Sequence, residues 1–401
     1  MNLRGRVLPT LDADVRQAYP AAFSLACAHR VLFAEHLREV DRLDEVRALA
    51  ATAAAGDWEP FLDPRTYERH ALDRLMVLPA GERWPVELQS RNGPRLCVRL
   101  LTSAAPMPST FGAAMLASFL AQRCVEVASA VGLVEVGSEV VRPIPLRDGV
   151  VVPAGDNPVA ALVRLRPEEG VDDRLRACIR GITNPAAWGI FARLDQYRAG
   201  GGLSEKYAAW SWPVPGSCLP AIVGMWLAMI DRAVTDAGGA VVCRDTDGLA
   251  IVSSPASGMV ELSERRVIRA LSWGEVDALL RRFDALDPFG DGGAFWSTER
   301  DDADGRPLHL LSLGPKRYVK CLPDGARGFA VIGGTQHGLS GSVADAPGWQ
   351  RDAWVRCAHE YAVARATGPE LGWRAPWDEG AEQPFPVLRR FSAASPDALA
   401  D

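Results

Sequence analysis

An α+β fold is predicted by three features of the sequence. Hairpin signals stand at 86–100 and 241–252, where Asn92-Gly93 and Asp247-Gly248 turns separate apolar or alternating runs. Long stretches between them carry apolar residues at helical spacing. The composition, 48% hydrophobic and 23% charged over 401 residues, can bury a large core in two or three subdomains.

Taken in order, Leu11-Asp12-Ala13-Asp14-Val15 alternates apolar and acidic residues as a strand does, so a strand is expected to end at Asp14. Pro20 then stands where a helix can begin. Phe23, Cys27, Val31, Leu37 and Val40 predict one helix from Pro20 to about Ala55. After the Asn-Gly hairpin, 110–131 reads as helix, and a short strand is expected around 137–141. Asp172 to about Ala199 predicts a long helix kinked near Asn184, because Pro185 removes a backbone donor. Gly200-Gly201-Gly202 marks a break. Cys218 to Ala237 predicts an apolar core helix capped by Gly238-Gly239. Residues beyond about 320 read as a smaller helical region with a Trp- and Pro-rich tail.

The chemistry concentrates in the second hairpin, whose tip is Asp245-Thr246-Asp247-Gly248. Asp, Thr and Gly are ordinary turn residues, and a solvated hairpin is one reading. Neighbouring carboxylates repel unless a cation lies between them, so a divalent metal site is the other, favoured by Asp14 at the end of a second strand.

Asp14-Val15-Arg16-Gln17-Ala18-Tyr19-Pro20-Ala21 and Asp245-Thr246-Asp247-Gly248 resemble, in order, the Asp-x-x-Ser-Leu-Tyr-Pro-Ser and Asp-Thr-Asp-Ser palm motifs of the family B DNA polymerases. Between them, Arg180-Gly181-Ile182-Thr183-Asn184 followed by Trp188-Gly189 is similar to that family's Lys-x-x-x-Asn and Tyr-Gly. Asn184 to Ala192 resembles the spelling of a bacterial branch. Pro315-Lys316-Arg317-Tyr318 resembles the Lys-Lys-Arg-Tyr motif at the palm and thumb border. The resemblance runs from about residue 7 to about 390, over the polymerase part only. The N-terminal and proofreading exonuclease domains are expected to be absent or to lie on another chain.

The resemblance implies a right-hand polymerase fold, with an antiparallel-sheet palm, helical fingers and a small helical thumb. The palm would take 1–55 and 201–312, the fingers with an inserted hairpin 56–200, and the thumb and tail 313–401. It implies a DNA-directed DNA polymerase acting in replication or repair, which joins dNTPs to a primer 3′-hydroxyl using two Mg2+ ions, with Mn2+ as a substitute. Asp14, Asp245 and Asp247 would be the catalytic, metal-binding carboxylates, Asp245 the weaker third. Backbone donors from Val15, Arg16, Gln17 and Ala18 would cradle phosphates, Arg176 and Arg180 would hold the triphosphate, and Asn184 and Trp188 would adjoin the nucleotide. Tyr19 falls at the steric-gate position that excludes a ribose 2′-hydroxyl. Lys316, Arg317 and Tyr318 would hold the primer backbone of a primer-template DNA.

Gln17, Ala18, Ala21, Arg180, Trp188 and Gly248 depart from the family's residues, and none removes a metal ligand. A catalytically weakened, polymerase-like module that binds primer-template or a partner subunit is therefore the alternative. A nuclease or nucleotidyl cyclase with a similar two-metal palm is a third class. The net charge of −6 counts against a nucleic-acid binder, since affinity for phosphate backbones comes from Lys and Arg. Of the three lysines, Lys206, Lys316 and Lys320, however, two lie in or beside the fourth motif.

No run of eighteen apolar residues and no signal-peptide layout appears, so a cytoplasmic location without a membrane partner is expected. The eight cysteines are spread singly, which reads as buried reduced thiols rather than a zinc site. The acidic run Glu299-Arg300-Asp301-Asp302-Ala303-Asp304 reads as a solvated loop, and His337 as a loop or thumb residue.

Overall fold

A computed structural model describes residues 3, 5–80, 87–90, 93–96, 112–123, 126–137, 142–145, 151–166, 170–191, 193–199, 202–208, 211–263, 266–290, 292–301, 305–314, 316–324, 329–336, 341–343 and 348–367. The architecture is mixed helix and strand, with a curled mixed sheet. The chain divides into two compact units. One comprises Met1–Asp14, Ala233–Leu280 and Trp296–Asp401; the other comprises Val15–Arg232 and Arg281–Phe295.

The first unit is built on a ten-stranded sheet with the strand Val7–Val15 inside it. On one side lie Gly248–Ser254, then Arg266–Ser272 and Gly258–Ser263. On the other lie His309–Gly314, Arg317–Pro323, Phe329–Gln336 and Gly341–Ser342. Val241–Arg244 pairs with Gly248–Ser254, and Trp296–Glu299 pairs with the first strand. The sheet is not purely antiparallel as expected, because Ser253 and Ser254 pair in parallel with Leu271 and Ser272.

Alternation explains why the first strand lies inside. Val7 packs with Leu311, Val319, Cys321, Val343, Trp354 and Ala358. Leu8 packs with Leu3, Val252, Leu262, Ile268 and Ala270. Successive side chains thus feed two cores, and a strand covered on both faces must be interior. The same period puts Asp12 and Asp14 on one face and the fully buried Leu11 and Ala13 on the other.

Arg317–Pro323 and Phe329–Gln336, expected to open a helical thumb, are instead strands of this sheet. Val319 and Cys321 are buried while Arg317 is exposed and Tyr318 and Lys320 are partly so, a period of two that the helical reading overlooked. Within the region, helix runs at Gly348–Thr367. It is tied down by a buried chain in which Trp354 Nε1 donates to Gln336 Oε1 (2.9 Å) and Gln336 Nε2 donates to Gln350 Oε1 (2.7 Å). The acidic run also departs from a solvated loop: Glu299 ends the strand Trp296–Glu299 and Asp301 bridges Pro307, while 302–304 lie outside the described residues.

The second unit holds most of the helices. The helix expected from Pro20 to Ala55 is interrupted: Ala18–Leu25 and His29–Phe33 are helical, His36–Asp41 is a strand, and Leu43–Ala54 is helical again. Cys27, at φ 52, breaks the first pair. His36–Asp41 pairs antiparallel with Val127–Val136, which also carries Leu75–Pro79. Leu37 and Val40 suggest helical spacing locally, and pairing with a distant strand overrides it. The helix expected over 110–131 is confined to Gly112–Leu120, since Val127 onward is strand; the strand expected at 137–141 falls on residues 138–141 outside the described set. The 86–100 hairpin forms through Glu87–Ser90 and Gly93–Leu96, with its tip at 91–92 outside that set.

The long helix expected over 172–199 ends at Asn184. Asp172 caps it by accepting from Leu175 N, and at Pro185 the ladder widens into a π-helical turn, Pro185–Gly189, as the missing donor requires. Leu194–Ala199 is a strand, paired with Gly202–Tyr207, so the glycine run closes a hairpin. The apolar helix begins earlier than expected, at Pro213, and runs to Asp236, with Gly238 at φ 78 just beyond it. It is long and apolar enough to cross a membrane, and 78% of its apolar window is buried in the fold. Within the second unit, its Trp226 Nε1 donates to Tyr67 Oη (2.7 Å), which donates to Phe61 O (2.8 Å).

Candidate metal centre

The carboxylates meet in the first unit. Asp245 N donates to Gly248 O at 2.8 Å and closes the expected hairpin between Val241–Arg244 and Gly248–Ser254. The first strand lies alongside in register, Asp14 opposite Gly248. A Cβ built on Gly248 would fall 1.8 Å from Asp14 Oδ1 and 3.0 Å from Ala13 O. Asp14 therefore lays its carboxylate across the glycine, and any side chain there displaces it. The serine of the family motif has no room in this arrangement.

Like charge is concentrated here. Asp14 keeps an open surface, yet the surrounding protein withdraws water from its carboxyl, and Asp12, Asp247 and Asp245 add negative charge. Its pKa is pushed up to about 6, with Lys320 opposing. Asp12 is also raised by burial, against the pull of Lys320.

Asp245 is engaged with cationic and donor groups. It accepts from Thr246 N (2.6 Å) and Tyr318 Oη (3.0 Å) and pairs with Lys316 Nζ at 3.0 Å. Partial burial would raise its pKa, but these bonds, Lys316 foremost, hold it below the usual carboxylate range. Lys316, at φ 52 in the left-handed region, also donates to Thr246 Oγ1. Arg317 follows Lys316 and opens the strand Arg317–Pro323. It is exposed and shares the strand face of Val319 and Cys321, opposite Tyr318. Pro315 and His337 lie outside the described residues.

Two further charged residues belong to the site. Lys320 Nζ lies 2.7 Å from Asp12 Oδ2 and also donates to Glu299 Oε2. Asp12 is only 9% exposed, and its Oδ1 has no hydrogen-bond partner. The signal for Asp12 was its spacing of two from Asp14, and for Lys320 the clustering of the chain's few lysines.

The second unit carries the other motif residues. The Tyr19 and Trp188 rings stack, with centroids 4.9 Å apart and planes at 15°, and Trp188 Nε1 donates to Gly216 O at 2.7 Å. Arg176, Arg180 and Asn184 recur every four residues on the helix Asp173–Asn184, and so form one row. Arg180 is exposed, as is Arg174, while Ile179 and Thr183 face inward. The expected phosphate cradle is reduced by one donor, since Arg16 N already donates to Phe295 O (2.9 Å). Arg16 Nη1 donates to Ala294 O (3.1 Å), and Gln17, at φ 53, precedes the helix beginning at Ala18.

Carboxylate oxygens are the donors that Mg2+ takes, and crowded negative charge is the condition a cation relieves. Asp14 and Asp247 fit such a centre; Asp245 is turned toward Lys316 and Tyr318. Among the described residues, His, Cys, Asp and Glu form no ready-made group of three ligands. Cys27, Cys178, Cys218, Cys243, Cys321 and Cys357 are free thiols, and Cys178, expected to be buried, is exposed. In comparisons with known proteins, no family model matches the chain and no curated protein matches it at a significant level.

Proposed function

We propose that this chain is a template-directed DNA polymerase of right-hand architecture that joins dNTPs to a primer 3′-hydroxyl. The observation that carries the reading is the convergence of Asp14, from one strand, with the Asp245-Thr246-Asp247 tip of the adjacent hairpin, under mutual charge repulsion. Two strands that each present a carboxylate to one place suit a pair of ions about 4 Å apart. Two magnesium ions held by Asp14 and Asp247 would supply activation of the attacking hydroxyl and stabilisation of the departing pyrophosphate.

The chain's own residues divide the remaining work. Asp245 anchors Lys316 and Tyr318, whose cationic and hydroxyl ends are suited to primer phosphates. Tyr19, held flat against Trp188, suits discrimination at the sugar, and the row Arg176, Arg180 and Asn184 suits a triphosphate. Primer-template DNA and dNTPs would be the partners, in the cytoplasm.

The test is extension of a labelled primer on a template with Mg2+ and then Mn2+, beside Asp247→Asn. Extension that disappears in the variant supports the reading. The Lys316 ammonium on Asp245 favours a second reading, a weakened module that binds primer-template without extending it. Binding without extension in either metal would favour that module.

A further inference from the structure

We propose that Lys320 is a positioning residue for the metal-binding carboxylates: clamped between Asp12 and Glu299, its ammonium fixes the end of the strand that carries Asp14. The inference rests on the two-metal reading above.

The strand needs such a strut because of how it is paired. Val7–Pro9 pair with His309–Leu311 and Thr10 N donates to Leu308 O at 2.9 Å, while Gly248–Val252 run along the other side from Thr10 to Asp14. Beyond Thr10, among the described residues, the short strand Trp296–Glu299 pairs with the first strand, and Ser297 Oγ donates to Asp14 O at 3.2 Å. Lys320 joins what the ladder leaves separate. It stands on Arg317–Pro323, bonds Asp12 on the first strand at 2.7 Å, and bonds Glu299 on the covering strand.

The backbone is shaped to deliver it. Lys320 faces Gly333 but Cys321 faces Val331, so Ile332 is an extra residue in the partner strand. Bulges of this kind re-aim neighbouring side chains. Gly334, at φ 138, lets the two backbones close; a Cβ there would lie 2.3 Å from Tyr318 O.

Stability alone does not call for the pair. A buried ion pair can often be replaced by apolar residues without loss, whereas one partner left alone is costly. The Asp12 and Lys320 side chains are only 12% and 20% exposed, each near the middle of its strand. The lysines of the site hold the flanking carboxylates, Lys316 on Asp245 and Lys320 on both Asp12 and Glu299.

The experiment titrates the full chain with Mn2+, following the electron paramagnetic resonance of the free ion and the melting temperature. It compares wild type, Asp247→Asn, Lys320→Arg and the double variant Asp12→Asn with Lys320→Met. The double variant leaves the net charge of the site unchanged, so a purely electrostatic role predicts unaltered affinity. Positioning predicts binding weaker by about tenfold, in the range of lost supporting contacts around a metal, with Lys320→Arg within roughly threefold of wild type. If the double variant does not fold, Glu299→Asp, which keeps the charge and shortens the reach to Lys320, decides, with about threefold loss expected. Wild-type affinity in the double variant, or in Glu299→Asp when that decides, overturns the proposal while Asp247→Asn still loses binding. Wild type that binds no better than Asp247→Asn overturns the two-metal reading, and this proposal with it.

Discussion

Gly248→Ala isolates the geometry of the centre in one methyl group. The added carbon would sit 1.8 Å from Asp14 Oδ1 and 2.8 Å from Asp14 Cγ, and only the 3.0 Å contact to Ala13 O involves backbone. A separation near 3.0 Å or more requires the carboxylate to swing by roughly 1 Å, off its rotamer, at about 0.5–1.5 kcal/mol. Gly248 does not use a left-handed φ, so alanine also narrows the unfolded ensemble and returns about 0.4–1 kcal/mol. The two terms nearly cancel, so melting should move by only a few degrees. A catalytic group misplaced by about 1 Å, in contrast, costs on the order of 100-fold in rate. Single-turnover primer extension beside a melt reads both quantities, and Gly248→Ser should behave like alanine although serine stands there in the motif this hairpin resembles. Wild-type rate and Mn2+ affinity in Gly248→Ala would refute the placement of Asp14 as a metal ligand.

Lys316→Met should weaken primer-template binding and lower the slope of log affinity against log salt by about 1, with a stability change within about 1 kcal/mol because the pair is partly exposed. A fluorescence titration at several salt concentrations measures it. Trp188→Ala removes the stack on Tyr19, worth about 0.5–1.5 kcal/mol beyond burial, and should raise KM for dNTP more than it lowers kcat; steady-state extension kinetics would show the split. Stability should rise as pH falls from 7 towards 5. Asp14 and the fully buried Asp73 are pushed to about 6, chiefly by burial, and folded pKa values above the unfolded 3.8 make ionisation costly to the fold, a cost relieved as each protonates. His29, lowered by burial, opposes this through the same window, so His29→Gln should steepen the gain and Asp14→Asn should flatten it in urea unfolding.

The Asp245–Gly248 hairpin was legible because its turn chemistry and its strands lie within a dozen residues, and the strand to Asp14 because its alternation is strict. The start of the Asp173–Asn184 helix near Asp172 and its irregular end at Pro185 were legible for the same local reason, though the strand Leu194–Ala199 was not. His36–Asp41 and Arg317–Pro323 were not legible. Each becomes a strand by pairing with residues near in space but chosen by tertiary packing, and Leu37, Val40 and the motif around Tyr318 each invited a different reading. The site divides in the same way. Asp14, Asp245 and Asp247 announce themselves by charge in apolar surroundings. Asp12 and Lys320 acquire meaning only when residues 308 apart are brought within 2.7 Å.

The first strand also imposes an order of events on a ribosome. Its central place in the sheet cannot be filled until residues 248–252 and 309–311 have been made, so every long-range ladder in that unit closes late. Val15–Arg232 is a nearly continuous stretch with its own packed tryptophan, tyrosine and phenylalanine, and it can begin to organise while Val7–Asp14 waits with both hydrogen-bonding edges open. During that interval the nascent chain exposes an aggregation-competent edge, and the acidic residues alternating along its second half serve as gatekeepers against edge-to-edge pairing.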